Sequence, residues 1–162
     1  MMSITHIIAG ISCARLMQHG AMLPPSPMIL AAAAFGALLP DLDHPSSMLG
    51  RRVKPLSWLL STTTGHRGMT HSCFMVAVLL FGAAQLPPAW HALMLGVIAG
   101  HASHLMADML TPAGVPLVWP WRARFRFPIT MRTNSKWERL FRYLMAIGLC
   151  YDGINSVSQL LT

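Results

Sequence analysis

The sequence predicts an all-α, membrane-embedded bundle of about five short helices. Of the 162 residues, 54% are hydrophobic and only 10% are charged, whereas about 25% of the residues of an average soluble domain carry a charge. The mean hydropathy of +0.49 excludes a disordered chain, a nucleic-acid-binding arm and a disulfide scaffold. The length allows one compact domain, which we expect to cover residues 1–162.

Five apolar stretches account for the predicted helices. They cover residues 4–17, 28–39, 72–86, 89–110 and 140–161. The fourth is the most convincing membrane span, because crossing a bilayer takes about 20 residues. The first two are short enough to be core helices or re-entrant segments instead.

The basic residues set the predicted orientation. Arg15 excepted, every Lys and Arg lies in the segments 44–70 and 111–139 or at Arg142. Only Pro87 and Pro88 separate the third stretch from the fourth, so both basic segments lie on one side of the membrane. The positive-inside rule makes that side cytoplasmic. Five spans then place the N-terminus inside and the C-terminus outside.

The histidines and acidic residues concentrate at the helix ends predicted to be cytoplasmic. His6 begins the first stretch. Three motifs carry most of the others: Leu-Pro-Asp-Leu-Asp-His at 39–44, Gly-His-Arg-Gly-Met-Thr-His-Ser at 65–72, and Gly-His-Ala-Ser-His-Leu-Met-Ala-Asp at 100–108. The orientation rests on Lys and Arg alone, so this convergence of His and Asp supports it independently.

The convergence predicts a divalent-metal site. Asp41 and Asp43 repel each other unless a proton or a cation lies between them, and His104 and Asp108 share one helix face because they are four residues apart. Imidazole and carboxylate ligands together suit Zn, Mn or Fe, and the number of carboxylates among the candidates is also compatible with Mg. These candidates are enough for one ion with a surrounding shell or for two ions. The candidate ligands are His6, Asp41, Asp43, His66, His71, His104 and Asp108.

Ordinary interpretations exist for the same residues. A histidine at a helix end is often a cap or an interfacial group, and the pair Asp41 and Asp43 can simply stop a helix after Pro40. His101 lies on the same helix stripe as His104 and is a weaker candidate. The sequence offers no account of Asp152 in the last stretch.

The motifs resemble those of the YdjM-type bacterial inner-membrane proteins, which are described as membrane-bound, metal-dependent hydrolases. The resemblance covers most of the chain. It rests on His6, on the motifs at 39–45 and 65–72, on Ser-His-Leu-Met-Ala-Asp-Met-Leu-Thr-Pro-Ala-Gly-Val-Pro-Leu-Val-Trp-Pro at 103–120, and on Arg-Phe-Arg-Phe-Pro-Ile at 124–129. It implies a multi-pass protein of the bacterial inner membrane and metal-ligand roles for the seven candidates. His101 stands where the family tends to have an aromatic residue.

The chain is also similar, more distantly, to the all-helical zinc phospholipase C and P1 nuclease group, in which His-x-x-x-Asp pairs hold clustered zinc ions. The spacing of His104 and Asp108 matches that pattern. This resemblance implies zinc as the preferred metal and a phosphoester as the substrate.

The predicted function is a metal-dependent hydrolase at the cytoplasmic membrane surface, acting on a phosphoester or another ester of a lipid or lipid-like molecule. We expect Asp41 or Asp43 to accept the proton of the attacking water and Arg67 to clamp a phosphate. The Arg-rich stretch 122–126 either holds anionic headgroups or serves only as a topology signal. No nucleic-acid partner is expected, and the sequence does not predict the oligomeric state.

Two other functions stay open. One is a non-catalytic, metal-stabilised membrane scaffold or partner-binding protein, in which ions staple short helices together. The other is a divalent-metal transporter, which needs ligands near the membrane midplane rather than at one face. A coordination position open to a cleft favours the enzyme, whereas a closed one favours the scaffold.

Overall fold

The computed structural model describes residues 1–65, 67–121 and 123–161, and this part of the chain is helical. It contains no strand beyond one bridge between Val115 and Phe125, which confirms the predicted all-α class. The α-helices are α1 Ser3–His19, α2 Pro27–Gly36, α3 Lys54–Thr64, α4 Cys73–Ala84, α5 His91–Met109 and α6 Lys136–Leu161. Short 3-10 turns cover Pro40–Asp43, Gly50–Arg52, Met69–His71 and Pro88–Trp90.

The described part of the chain has six α-helices, one more than the sequence predicted. Helix α3 lies in the basic segment 44–70, which we expected to be a loop, and has a proline in its first turn. Proline suits that position because the first backbone N–H groups of a helix have no partner within it. Ser and Thr fill the last turn of α3, so its apolar run is short, and this explains why the hydropathy pattern missed it.

Helices α1, α2 and α5 form the core of the fold through unusually close backbone contacts. A Cβ atom added to Gly100 of α5 would lie 1.9 Å from the carbonyl oxygen of Ala33, and one added to Gly36 of α2 would lie 2.0 Å from that of Val97. Only a hydrogen atom fits at such positions. Small residues therefore let α2 and α5 touch along their backbones, which brings the end of α2 beside the last turns of α5.

The segments around the helices fold onto one end of this core. The backbone N–H of Phe127 donates to Met109 O at the end of α5. The backbone N–H of Cys73, the first residue of α4, donates to Leu117 O. Val115 is fully buried. These contacts gather the 3-10 turns Pro40–Asp43 and Met69–His71, the last turns of α5 and the start of α1 into one region.

Helix α6 begins four residues earlier than predicted and packs on α1. Its first turn is capped by Ser135, whose Oγ accepts a hydrogen bond of 3.2 Å from the backbone N–H of Glu138. Ser followed three residues later by Glu is a known signature of a helix start. The pattern 135–138 would therefore have placed the boundary correctly.

Among the described helices, none has both the length and the apolar character that crossing a membrane requires, so the structure does not confirm the predicted spans. Helices α4 and α6 nevertheless expose many large apolar side chains. These include Phe74, Val78 and Phe81 on α4 and Leu140, Tyr143, Leu144, Ile147, Tyr151 and Ile154 on α6.

Candidate metal centre

Five of the predicted metal ligands come together, from four separate elements of the fold. They form two groups whose ligand atoms lie within 4.8 Å of one another. One group contains His6, His104 and Asp108, and the other contains Asp41, His71 and His104. Helix α1 supplies His6, α5 supplies His104 and Asp108, and the two 3-10 turns supply Asp41 and His71. His104 belongs to both groups and is the centre of the arrangement.

The backbone of α2 fixes the orientation of His104. Its Nδ1 lies 2.7 Å from the carbonyl oxygen of Ala37, and because a carbonyl only accepts, Nδ1 carries the proton and Nε2 carries the lone pair. Nε2 is buried and has no hydrogen-bond partner among the described residues. It lies 3.8 Å from Asp41 Oδ1 and 3.9 Å from Asp108 Oδ2. A histidine held through Nδ1 with Nε2 facing carboxylates is typical of a metal ligand.

His6 packs face to face on His104. The two rings are 3.6 Å apart at their centroids with an angle of 11° between their planes. His6 Nε2 lies 3.4 Å from Asp108 Oδ1, and both side chains are almost fully buried. Helix α1 therefore places a second imidazole against the same carboxylate that α5 contributes.

Asp43 belongs to neither ligand group and instead contacts the Nδ1 side of the His71 ring. Its Oδ2 is 3.3 Å from His71 Nδ1 and accepts hydrogen bonds from Thr70 Oγ1 at 2.5 Å and from the backbone N–H of Arg67 at 3.0 Å. A carboxylate at Nδ1 orients the other ring nitrogen. His71 Nε2 accordingly lies 3.8 Å from Asp41 Oδ1 and 4.0 Å from Asp108 Oδ2.

Arg67 lies beside the centre and contacts both Asp108 and Gly114. It adopts a left-handed backbone conformation with φ of 58°. Its Nη2 lies 2.8 Å from Asp108 Oδ2, and its Nη1 donates to Gly114 O at 3.3 Å. The amino group of Met1 lies 2.9 Å from the other oxygen of Asp108. The carboxylate of Asp108 is therefore surrounded by positive charge and imidazole.

A polar cleft of about 260 Å³ opens onto the centre at Asp41. The residues that line it are Met1, Ser3, Asp41, His44, Ser46, Ser47 and Arg67. Asp41 has 21% of its side chain exposed, whereas the other members of the two groups are at most 1% exposed. The centre is thus closed on the side of the helices and open to solvent on the side of Asp41.

Among the described residues, the other predicted site residues, Asp43 and Arg67, belong to neither group. His66 and Arg122 lie outside the described residues. His101 is buried one turn before His104 and belongs to neither group. The neighbouring arginines Arg124 and Arg126 donate to the carbonyl oxygens of Ala113 and Pro112, respectively, and stay exposed.

The sequence model of the YdjM inner membrane protein family matches residues 1–160 of this chain. The chain belongs to this family. It is 41% identical to the inner membrane protein YdjM of Escherichia coli K12 over 148 residues, which cover 86% of this chain and 74% of that protein. It is 35% identical to the YvsG protein of Bacillus subtilis over 149 residues, which cover 91% of each chain. No solved structure matches it.

Family membership confirms the resemblance to the YdjM-type proteins and the expected association with the lipid bilayer of the inner membrane. The relatives' names state neither a reaction nor a metal. The metal-ligand roles, the hydrolase activity and the similarity to the P1 nuclease group therefore stay predictions.

Glu138 is a structural partner of the centre that sequence reasoning missed. It is fully buried at the start of α6 and accepts hydrogen bonds from the backbone N–H of Met2 at 2.7 Å, Thr5 Oγ1 at 2.8 Å and the backbone N–H of Asn134 at 2.5 Å. Burial alone raises the pKa of a carboxyl group, but these hydrogen bonds outweigh it and lower the pKa of Glu138. Glu138 thereby ties α6 to the turn of α1 that carries His6.

The structure also explains Asp152 and Arg15, which the sequence left without partners. Their side chains form an ion pair between α6 and α1. His19 Nε2 lies 2.5 Å from the second oxygen of Asp152, and Arg15 also contacts Ser156. The lone basic residue outside the predicted cytoplasmic segments is therefore neutralised within the protein.

Proposed function

We propose that this chain is a metal-dependent hydrolase of the inner membrane that cleaves a phosphoester, or another ester, of a lipid or lipid-like substrate at the cytoplasmic membrane surface. The observation that carries the proposal is the position of Asp41. Its carboxylate belongs to a ligand group with His71 and His104 and also lines the polar cleft. A ligand that reaches solvent leaves room for a substrate, whereas a fully enclosed group serves stability alone.

The donor atoms fit a divalent cation. Imidazole nitrogens and carboxylate oxygens together suit Zn, Mn or Fe. His104 Nε2 is buried without a hydrogen-bond partner among the described residues, and such an atom costs free energy unless it binds something. Because Nε2 has a single lone pair, His104 can ligate only one ion, so the two groups that share it cannot both be completed through His104. We therefore expect at least one ion per chain at this centre.

The reaction requires a cation, a proton acceptor and a group that holds the substrate. A bound cation polarises the scissile group and lowers the pKa of water. Of the two carboxylates predicted to accept a proton, Asp41 is the better placed, because Asp43 is buried and already accepts hydrogen bonds from Thr70 and Arg67. We assign proton transfer to Asp41, the orientation of His71 to Asp43, and contact with a phosphoryl oxygen to Arg67.

An activity assay on detergent-solubilised protein tests the proposal. The protein is stripped with a chelator, reloaded with Zn, Mn or Mg, and mixed with phospholipids, phosphomonoesters and carboxyl esters. We expect hydrolysis with at least one metal and a loss of about 100-fold or more in Asp41→Asn. Asp152→Asn is the matched control and should retain activity, since it removes a carboxylate of α6 that pairs with Arg15, away from the candidate metal centre. Wild-type protein that contains metal yet hydrolyses none of these esters would contradict the proposal.

A metal-stabilised scaffold is the second candidate. The observation that favours it is that the candidate ligands come from four separate elements of the fold. A bound cation would therefore tie α1, α5 and both 3-10 turns together. A scaffold predicts that chelation lowers thermal stability and that no hydrolysis accompanies metal binding. The enzyme predicts both the stability change and turnover.

We also propose that the chain is a multi-pass protein with its N-terminus and both basic segments on the cytoplasmic side. The asymmetric distribution of Lys and Arg supports this orientation. The large apolar side chains exposed on α4 and α6 are suited to contact with lipid.

A further inference from the structure

Two apolar grooves run along the outer face of α5, one on either side of Met106. The first groove lies between α4 and α5, has a volume of about 390 Å³, and includes Ala77, Met106 and Leu117 in its lining. The second groove lies between α5, α1 and α6, has a volume of about 290 Å³, and includes Ala9, Met106 and Phe127 in its lining. Met106 is 59% exposed, so its side chain forms a ridge between the two grooves.

The grooves lie on the side of α5 that faces away from the candidate metal centre. Successive residues of an α-helix are rotated by about 100°. Met106 is two residues from both His104 and Asp108 and therefore points about 160° away from each of them. A ligand in the grooves is thus distinct from the substrate proposed above.

The size and lining of the grooves fit the acyl chains of a lipid. Except for two serines and two cysteines, every lining residue is apolar. Each groove follows α5 for about 10 Å, over residues 102–109 or 103–110, whereas one leaflet of the hydrocarbon core is about 15 Å deep. A partner helix is at least about 10 Å wide and would have to displace Met106. Two acyl chains can instead lie one in each groove.

Two arginines lie at the end of α5 where both grooves finish. The backbone N–H of Phe127, in the second groove, donates to the carbonyl oxygen of Met109, in the first groove, at 2.9 Å. Arg126 directly precedes Phe127, and Arg124 comes two residues earlier. Both arginines are exposed, and their guanidinium groups donate to backbone carbonyl oxygens. Among the residues that the structure describes, neither pairs with a carboxylate, so their charge is available to an anion.

We propose that the outer face of α5 binds one anionic diacyl phospholipid, with one acyl chain on each side of Met106 and the headgroup at Arg124 and Arg126. The chain belongs to a family of inner membrane proteins, so such lipids surround it. Anionic lipids of the cytoplasmic leaflet attract basic residues near the membrane surface, which agrees with the proposed orientation. The inference goes beyond the proposed hydrolase and does not depend on it.

Native mass spectrometry of the detergent-solubilised full chain, titrated with phospholipids of identical acyl chains, tests the headgroup. Wild type should bind phosphatidylglycerol about tenfold or more tightly than phosphatidylcholine. Replacing Arg124 and Arg126 together with Gln should reduce phosphatidylglycerol binding to the level of phosphatidylcholine. Replacing Arg51 and Arg52 with Gln, which are exposed outside both grooves, is the matched control and should bind like wild type. Equal wild-type affinities for the two lipids, or an unchanged Arg124 and Arg126 double variant, would overturn the proposal.

Ala77→Phe tests the acyl chains. Ala77 is an exposed residue of the first groove, so a phenyl ring there should fill the groove without entering the core. Phosphatidylglycerol should then bind no more tightly than its one-chain lyso form binds to wild type. The lyso form should keep most of its affinity for the variant, because the second groove stays open. Ala84→Phe, at an exposed position of α4 outside both grooves, is the matched control. Equal binding of phosphatidylglycerol to these two variants would overturn the two-groove assignment.

The same spectra distinguish a lipid from a protein on this face of α5. A wild-type dimer that Ala77→Phe dissociates, with lipid binding unchanged, would assign the grooves to a second copy and overturn the proposal. The metal content of each sample separates this inference from the proposed function. Metal-free protein that selects phosphatidylglycerol would support the lipid site and contradict the hydrolase. Metal-loaded protein without that selectivity would overturn the lipid site alone.

Discussion

The close contact between α2 and α5 predicts that Gly100→Ala destabilises the protein. The same substitution at Gly82, which lies outside this contact, should be slightly stabilising. In Gly100→Ala the new methyl group would lie 1.9 Å from Ala33 O, 2.7 Å from Ala33 C and 2.8 Å from Ala37 N. All three are backbone atoms, so no side chain can rotate away. Since real Cβ atoms essentially never approach closer than 3.0 Å, the helices must separate by about 1 Å.

The cost follows from this displacement. Overpacking of this kind destabilises a protein by about 1–3 kcal/mol, and the gain from replacing a helical Gly with Ala is only about 0.5–1 kcal/mol. We expect Gly100→Ala to lower the free energy of unfolding by about 1–2 kcal/mol, which corresponds to a fall of roughly 2–8 °C in Tm for a chain of this length. Gly82→Ala in α4, where the new methyl group meets nothing within 4 Å, should instead raise Tm slightly.

The same displacement should reach the metal centre. The acceptor of the hydrogen bond from His104 Nδ1 is the carbonyl oxygen of Ala37, which belongs to the segment that Gly100→Ala pushes away. Thermal unfolding by circular dichroism in detergent, together with the metal content of the purified variants, measures both effects. A Gly100→Ala protein as stable as Gly82→Ala and with wild-type metal content would refute the close packing of α2 on α5.

Two further predictions concern Glu138 and the orientation of the chain. Because the folded-state pKa of Glu138 is lowered, its stabilising contribution is present above its ordinary pKa of 4.5 and is lost as the pH falls through its lower folded-state value. Thermal unfolding between about pH 3 and 7 should therefore show a loss of stability at low pH that is smaller in Glu138→Gln, and equal pH profiles would contradict this assignment. Single cysteines at Arg51, Gln85 and Arg124, in a chain whose Cys13, Cys73 and Cys150 are replaced by serine, report the orientation in intact cells. An impermeant thiol reagent should label position 85 only, and labelling at 51 or 124 would contradict the predicted topology.

The convergence of the candidate ligands could largely be predicted, because their spacing follows local rules. His104 and Asp108 had to share a helix face at a spacing of four, and the repulsion between Asp41 and Asp43 indicated a cation nearby. The sequence could not tell which of those two carboxylates faces the centre. That depends on contacts of Asp43 with Thr70 and Arg67, more than 20 residues away in the chain.

The features that were missed depend on pairings between distant parts of the chain. Glu138 contacts Met2 and Thr5 across more than 130 residues, and Arg15 pairs with Asp152 across 137. No local spacing encodes such partners. The extra helix α3 was missed for a different reason, since hydropathy finds long apolar runs and α3 mixes its apolar residues with Ser and Thr.

The most direct test of the account is the metal content of purified protein in which single histidines of α5 are replaced. His104 and His101 are both almost fully buried on the same helix, but only His104 belongs to the ligand groups. After reconstitution with Zn, Mn and Mg, elemental analysis should find at least about one ion per chain in the wild type. His101→Ala should retain that ion, and His104→Ala should lose it. A wild type without metal, or His104→Ala with as much metal as His101→Ala, would contradict the central claim.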